Sequence, residues 1–102
     1  MKWQMMFDQV STEGDTKEKI EKKFSGLETY VGSLRSKLQT GFVWLSRGDR
    51  FGYKVKVGLH LPGKEVVAEG KSETLLSAID QAYMRAAREI KNYLDQIREK
   101  RR

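Results

Sequence analysis

The sequence predicts an α+β domain in the order β-α-β-β-β-α, with two helices packed on one face of a four-stranded sheet. Three observations carry this. Ile20, Phe24, Leu27, Val31, Leu34 and Leu38 recur at spacings of 4, 3, 4, 3 and 4, which makes one narrow helical stripe. Phe51, Tyr53, Val55, Val57, Leu59 and Leu61 alternate strictly with Gly52, Lys54, Lys56, Gly58 and His60, the period of a half-buried strand. Residues 72–98 contain neither Gly nor Pro and carry a second apolar stripe through Ile79, Ala86, Ile90 and Ile97. Each helix has one stripe to bury and the sheet has one apolar face, so both helices belong on that face.

Taken in order, Trp3, Met5 and Phe7 alternate with Gln4 and Met6 and form a short first strand. Asp15, with Glu18 three residues later, resembles a capping box that opens the first helix. Gly26 and Gly32 cost that helix up to about 1 kcal/mol each, which a stripe of this length should override. The β-rich run Gly41-Phe42-Val43-Trp44-Leu45 makes the second strand, and Ser46 to Arg50 the turn after it. One of the pairs Phe42/Trp44 and Val43/Leu45 must face away from the helices. Because aromatics usually bury, core or edge packing is the expectation for Phe42 and Trp44. The alternative is an open platform on which single-stranded RNA could stack. Pro62-Gly63-Lys64 turns the chain again, Glu65 to Lys71 returns as a third strand of a meander, and Ser72 serves as N-cap of the last helix with Glu73 in its first turn.

The chain has 102 residues, which predicts a single domain over 1–102 with a frayed basic end at 99–102. The absence of Cys excludes a disulfide framework, a Cys-based zinc site and thiol catalysis, and one His excludes a multi-His metal centre. No apolar run approaches the ~20 residues that span a bilayer, and the N-terminal apolar stretch is too short for a secretory signal. No phosphate loop, nucleophile elbow or paired-carboxylate spacing is present. His60 falls on the open sheet face with no nucleophile pattern near it, and Arg47-Gly48-Asp49 is turn chemistry. The expectation is a cytoplasmic protein with no enzymatic activity, no catalytic residue, no metal and no cofactor. It takes no membrane and no small-molecule substrate as partner, and is a monomer or weak dimer.

Lys and Arg number 20 against 14 Asp and Glu, a net charge of +6. The distribution is more informative than the total. At about 100° per residue, Lys19, Lys22, Lys23 and Lys37 fall on one flank of the first helix and Glu18, Glu21 and Glu28 on another. An ordinary solvated helix gains more by interleaving its signs. On the last helix Arg85, Arg88, Lys91 and Asn92 lie away from the apolar stripe. The reading is a single positive plateau in which the Lys flank of one helix merges with the Arg face of the other and tracks phosphates. Lys19, Lys22, Lys23, Arg85, Arg88 and Lys91 are the candidate contacts. No helix-turn-helix pair or basic heptad extension is present, so structured RNA is a better polyanion than duplex DNA.

Two segments bear a resemblance. Leu59-His60-Leu61-Pro62-Gly63-Lys64-Glu65-Val66-Val67-Ala68, followed by Leu75-Leu76-Ser77-Ala78-Ile79-Asp80, resembles the ribosome hibernation-promoting factor family, the ribosome-associated translation inhibitor or sigma-54 modulation group. Lys22-Lys23-Phe24-Ser25-Gly26-Leu27-Glu28-Thr29-Tyr30 is similar to that family's Lys-Phe-x-x-Leu-x-x-Tyr helix. The resemblance implies a β-α-β-β-β-α domain that binds small-subunit rRNA in the decoding channel, occluding mRNA and tRNA and silencing idle ribosomes under stress. The small ribosomal subunit is the implied partner. By position Lys23, Arg85 and Arg88 match basic family residues, whereas Gly26 and Asn92 stand where the family often has Lys. Thr74 and Leu76 stand in place of an Asp and a Tyr. The chain stops after the last helix, which implies a short form.

Two other readings compete. A double-stranded-RNA-binding module shares a helix-sheet-helix layout but places a Lys cluster at the start of its last helix, where this chain has Ser72-Glu73-Thr74-Leu75. A protein-interaction domain would use the open sheet face or a sheet edge.

Overall fold

The computed structural model describes residues 2–10, 16–28, 40–48, 52–61 and 63–100. The elements follow the expected order: β1 (Lys2–Asp8), α1 (Thr16–Ser25), β2 (Thr40–Arg47), β3 (Tyr53–Leu61), β4 (Lys64–Ser72) and α2 (Leu75–Lys100). The sheet has the order β1-β2-β3-β4, so chain order and spatial order coincide. β1 runs parallel to β2, and β2, β3 and β4 form the antiparallel meander.

One face of the sheet is the core face. Trp3, Val43, Leu45, Val55, Val57, Leu59, Leu61, Val66 and Ala68 are buried there, with Met5 and Phe7 half-buried beside them. From the helices come Ile20, Phe24 and Leu27 of α1 and the segment after it, and Ala78, Ile79, Ala82, Ala86 and Ile90 of α2. Phe24 joins the two layers, its ring 6.2 Å from Trp3 of β1 and 6.3 Å from Tyr83 of α2. The small residues Ala78, Ala82 and Gly70 let α2 lie almost directly on β4. A side-chain carbon at Gly70 would meet the Ala78 carbonyl oxygen and stand 2.7 Å from the Ala82 amide nitrogen.

The register settles the parity of β2. Val43 pairs with Val57 and Leu45 with Val55, all on the core face, so Phe42 and Trp44 point to the open face. The expectation of core or edge packing for these aromatics is thereby corrected. Val43 and Leu45 are completely buried, and β-branched and aliphatic side chains fill the thin space under the helices as well as rings would. Phe42 covers its cross-strand partner Gly58, which has no side chain of its own, so the ring recovers some burial on the outer face.

Two local expectations also change. The first helix is interrupted at Gly26 and Leu27, whose amides donate to the carbonyls three residues back, Lys23 at 3.1 Å and Phe24 at 3.0 Å, and Glu28 is helical again. That tight turn separates α1 from the helical Glu28 and still tucks Leu27 into the core. Asp15, Val31, Leu34, Lys37 and Leu38 lie outside the described residues. The cap of α2 is Thr74 rather than Ser72, because Ser72 is still paired with Tyr53 in the sheet. Thr74 Oγ1 accepts the Ser77 amide at 3.2 Å and its carbonyl accepts the Ala78 amide at 3.1 Å. Helix α2 continues to Lys100.

Where β4 borders solvent, α2 supplies the hydrogen-bonding partners. The Arg85 guanidinium donates to the Glu69 carbonyl at 2.8 Å, and the Gln81 side-chain oxygen accepts the Lys71 amide at 3.2 Å. At the other end of the molecule, Gln9 turns the chain after β1 with φ of 58°, and Arg47 donates to its carbonyl while lying 4.9 Å from the Tyr53 ring centroid. Arg47 of the Arg-Gly-Asp tripeptide is thus a structural strut; Asp49 lies outside the described residues.

Candidate RNA-binding surface

Helix α1 buries Ile20 and Phe24 and turns its Lys flank toward α2. Lys19, Lys22 and Lys23 are all exposed. Lys23 ion-pairs with Asp80 of α2, and its amine lies 5.5 Å from the Tyr83 ring centroid. Asp80, which closes the Ala78-Ile79-Asp80 signature, therefore binds a basic neighbour on the adjacent helix. Both side chains are substantially exposed (40% and 58%), which keeps such a pair below about 1 kcal/mol. A double-mutant cycle with Lys23→Ala and Asp80→Ala should give a coupling energy of about 0.5 kcal/mol that vanishes in high salt. Chemical denaturation of the four chains measures it.

Gly26 explains one departure from the family pattern. A side-chain carbon there would stand 3.3 Å from the Tyr83 hydroxyl and 3.1 Å from the Lys23 carbonyl, so Tyr83 occupies the room that a Lys stem would need.

Helix α2 spreads its cations around its circumference. At 3.6 residues per turn, Arg85 is about 140° from Asp80. Arg85 lies on the β4 flank, bonded to the Glu69 carbonyl, and Asp80 holds Lys23 on the α1 flank. Lys23 and Arg85 thus sit on opposite sides of α2 and do not merge into the single plateau that the helical wheels imply. The exposed side chains of Arg88 and Lys91 fill the arc between them. Arg88 is about 160° from Ala86 and Ile90, and Lys22 about 160° from Phe24, so both point outward from the helix layer. Neither Lys22 nor Arg88 has an ion pair among the described residues. The outer surface is therefore led by Lys22 and Arg88 and flanked by Lys19, Lys23 and Lys91, with Arg85 at its β4 rim.

Charge sorting on each wheel locates these residues correctly with respect to their own helix. It does not single out Lys23 as the basic neighbour that Asp80 near a helix start is expected to meet, and it misses Glu69 as the anchor of Arg85. The readable signals were the Asp in the first turns of α2 and the exposed edge of β4. Among the described residues no group of His, Cys, Asp or Glu is arranged to hold a metal, and no helix is long and apolar enough to cross a membrane.

Solved structures share the fold. A ribosomal subunit interface protein from Coxiella burnetii has a TM-score of 0.77 at 18% identity, over 93% of this chain and 99% of that one. The N-terminal domain of Thermus thermophilus Protein Y has a TM-score of 0.73 at 22% identity, over 91% of this chain and 99% of that one. Among curated proteins none matches closely enough to count as a relative. The match to the family is broader than any single motif, reaching from within β1 to near the end of α2. The model of the Sigma 54 modulation protein / S30EA ribosomal protein family matches residues 4–98, and the chain belongs to that family.

Proposed function

We propose that the chain is a ribosome-associated translation inhibitor that binds small-subunit rRNA in the decoding channel through the outer surface of its two helices. Bound there it would block mRNA and tRNA by occupying their space, a task that needs shape and phosphate contacts but no chemistry. The observation that carries this reading is the family match over residues 4–98, nearly the whole described fold. Local physics supports it: Lys22 and Arg88 project from the layer opposite the sheet, one as a compact point charge and the other as a planar fork suited to phosphate oxygens. Lys19, Lys23 and Lys91 supply further positive potential, and Arg85 still has donors beyond the one spent on Glu69.

Sucrose-gradient sedimentation with purified ribosomes tests it. The wild-type chain should co-migrate with the small subunit, weakening steeply between about 50 and 200 mM salt as displaced counterions compete. Lys22→Glu/Arg88→Glu should lose co-migration while keeping its circular dichroism and melting curve, because neither side chain supports the core. A wild-type chain that stays at the top of the gradient at low salt would overturn the reading. A double variant that still co-migrates would overturn the residue assignment.

A further inference from the structure

The sheet face turned away from the helices carries an indole with no helix over it. Trp44 is 42% exposed on the central strand β2, with Met6 opposite it on β1 and Lys56 opposite it on β3. Asp8, Arg47, Lys54, Lys56 and Glu69 line a shallow cleft with it. The charges there do not cancel. Lys54 lies 3.6 Å from Glu69 and opposite Lys71 of β4, which leaves Lys56 and Lys71 against Asp8. Lys56 has no ion pair among the described residues. Two positions along the same strand face, roughly 7 Å away, Phe42 lies over Gly58 beside a second cleft rimmed by Gln4, His60 and Glu65.

The pattern discriminates between occupants. Across the sheet the row runs Met6, Trp44, Lys56, Glu69, so its apolar run ends after two strands, and in the neighbouring row Gln4, Phe42, Gly58, Val67 a glycine separates the two apolar side chains; neither row makes the apolar centre of a protein interface. A flat ring with amines along one side suits a polyanion whose bases are unstacked from each other. Four-stranded sheets with two aromatics on the open face stack single-stranded RNA in this manner.

We propose that this face binds single-stranded RNA, with Trp44 stacking one base and Lys54 and Lys56 holding the flanking phosphates. The site lies on the opposite side of the molecule from the helix surface and does not rest on the ribosomal reading.

The test uses the full chain and a short fluorescently labelled oligouridylate. Anisotropy titration at about 50 mM salt should show saturable binding. Trp44→Leu, which keeps apolar bulk but no ring, should weaken it about tenfold, within the range expected for one lost stack. Trp44→Phe should retain most of the affinity. Lys54→Gln/Lys56→Gln should lower the slope of log K against log salt by about 1.4, at about 0.7 per phosphate contact on a single strand. Equal urea midpoints would show that the variants are folded. No binding by the wild type, equal affinity of all three residue-44 chains, or equal affinity for a duplex would overturn the proposal; the first of these leaves the face to a protein partner. Sedimentation with Lys22→Glu/Arg88→Glu reads the other surface, so either reading can fail alone.

Discussion

Gly70→Ala should lose about 3 kcal/mol of stability, even though alanine is intrinsically better than glycine within a strand. The added carbon would point at the backbone of α2, at the Ala78 carbonyl and the Ala82 amide. Neither atom can rotate aside, so the helix must lift from β4 and uncover Val66, Ala68 and Ala82 together. A melting temperature lower by roughly 15 °C is the expected readout for a domain of this size. Gly58→Ala provides the contrast. Its new carbon would meet only the Phe42 ring, a side chain on the open face that can swing into solvent. The same substitution there should cost no more than about 1 kcal/mol. Equal losses at the two positions would contradict this account of how closely α2 lies on the sheet.

Phe24→Ala should cost about 3–5 kcal/mol, the range for removing a fully buried ring. Phe24 has no exposed surface and contacts Trp3 on one side and Tyr83 on the other. Its loss opens a cavity where β1, α1 and α2 meet, and the two tilted ring pairs disappear with it. Since a domain of this kind is stable by about 5–15 kcal/mol, much of the margin goes at once. Urea denaturation should show a midpoint shift without a change in slope. Phe24→Leu should recover about half of the loss by refilling most of the volume. The functional consequence follows from geometry: Phe24 is next to Lys23, so a loosened ring also releases the lysine from Asp80 and lets the basic flank rotate.

The element order was legible because the periods of the stripe and of the alternation are long and unmixed. Tyr53 to Leu61 alternates with hardly a break, and α2 has no breaker from Leu75 to Lys100. The parity of β2 was not legible, since Phe42/Trp44 and Val43/Leu45 are both apolar pairs and period 2 cannot rank them. Its resolution came from tertiary pairing: Gly58 on the outer face of β3 leaves a slot that the Phe42 ring fills. Ser72 has the chemistry of a cap, but its pairing with Tyr53 holds it in the strand, and Thr74 takes over two residues later. The basic surface was legible helix by helix and no further. A wheel gives each side chain an angle about its own axis and says nothing of how a neighbouring axis is rotated, which is why Lys23 and Arg85 fell on opposite flanks of α2.

The bonds from Arg85 and Gln81 to β4 have a bearing on assembly. In an antiparallel strand the outward-facing backbone groups belong to alternate residues, and the Glu69 carbonyl and the Lys71 amide are already taken by side chains. A strand arriving from another molecule could not extend a ladder along that margin without displacing an arginine and a glutamine held by a 26-residue helix. Growth of the sheet from chain to chain is therefore hindered at the Glu69–Lys71 end of β4.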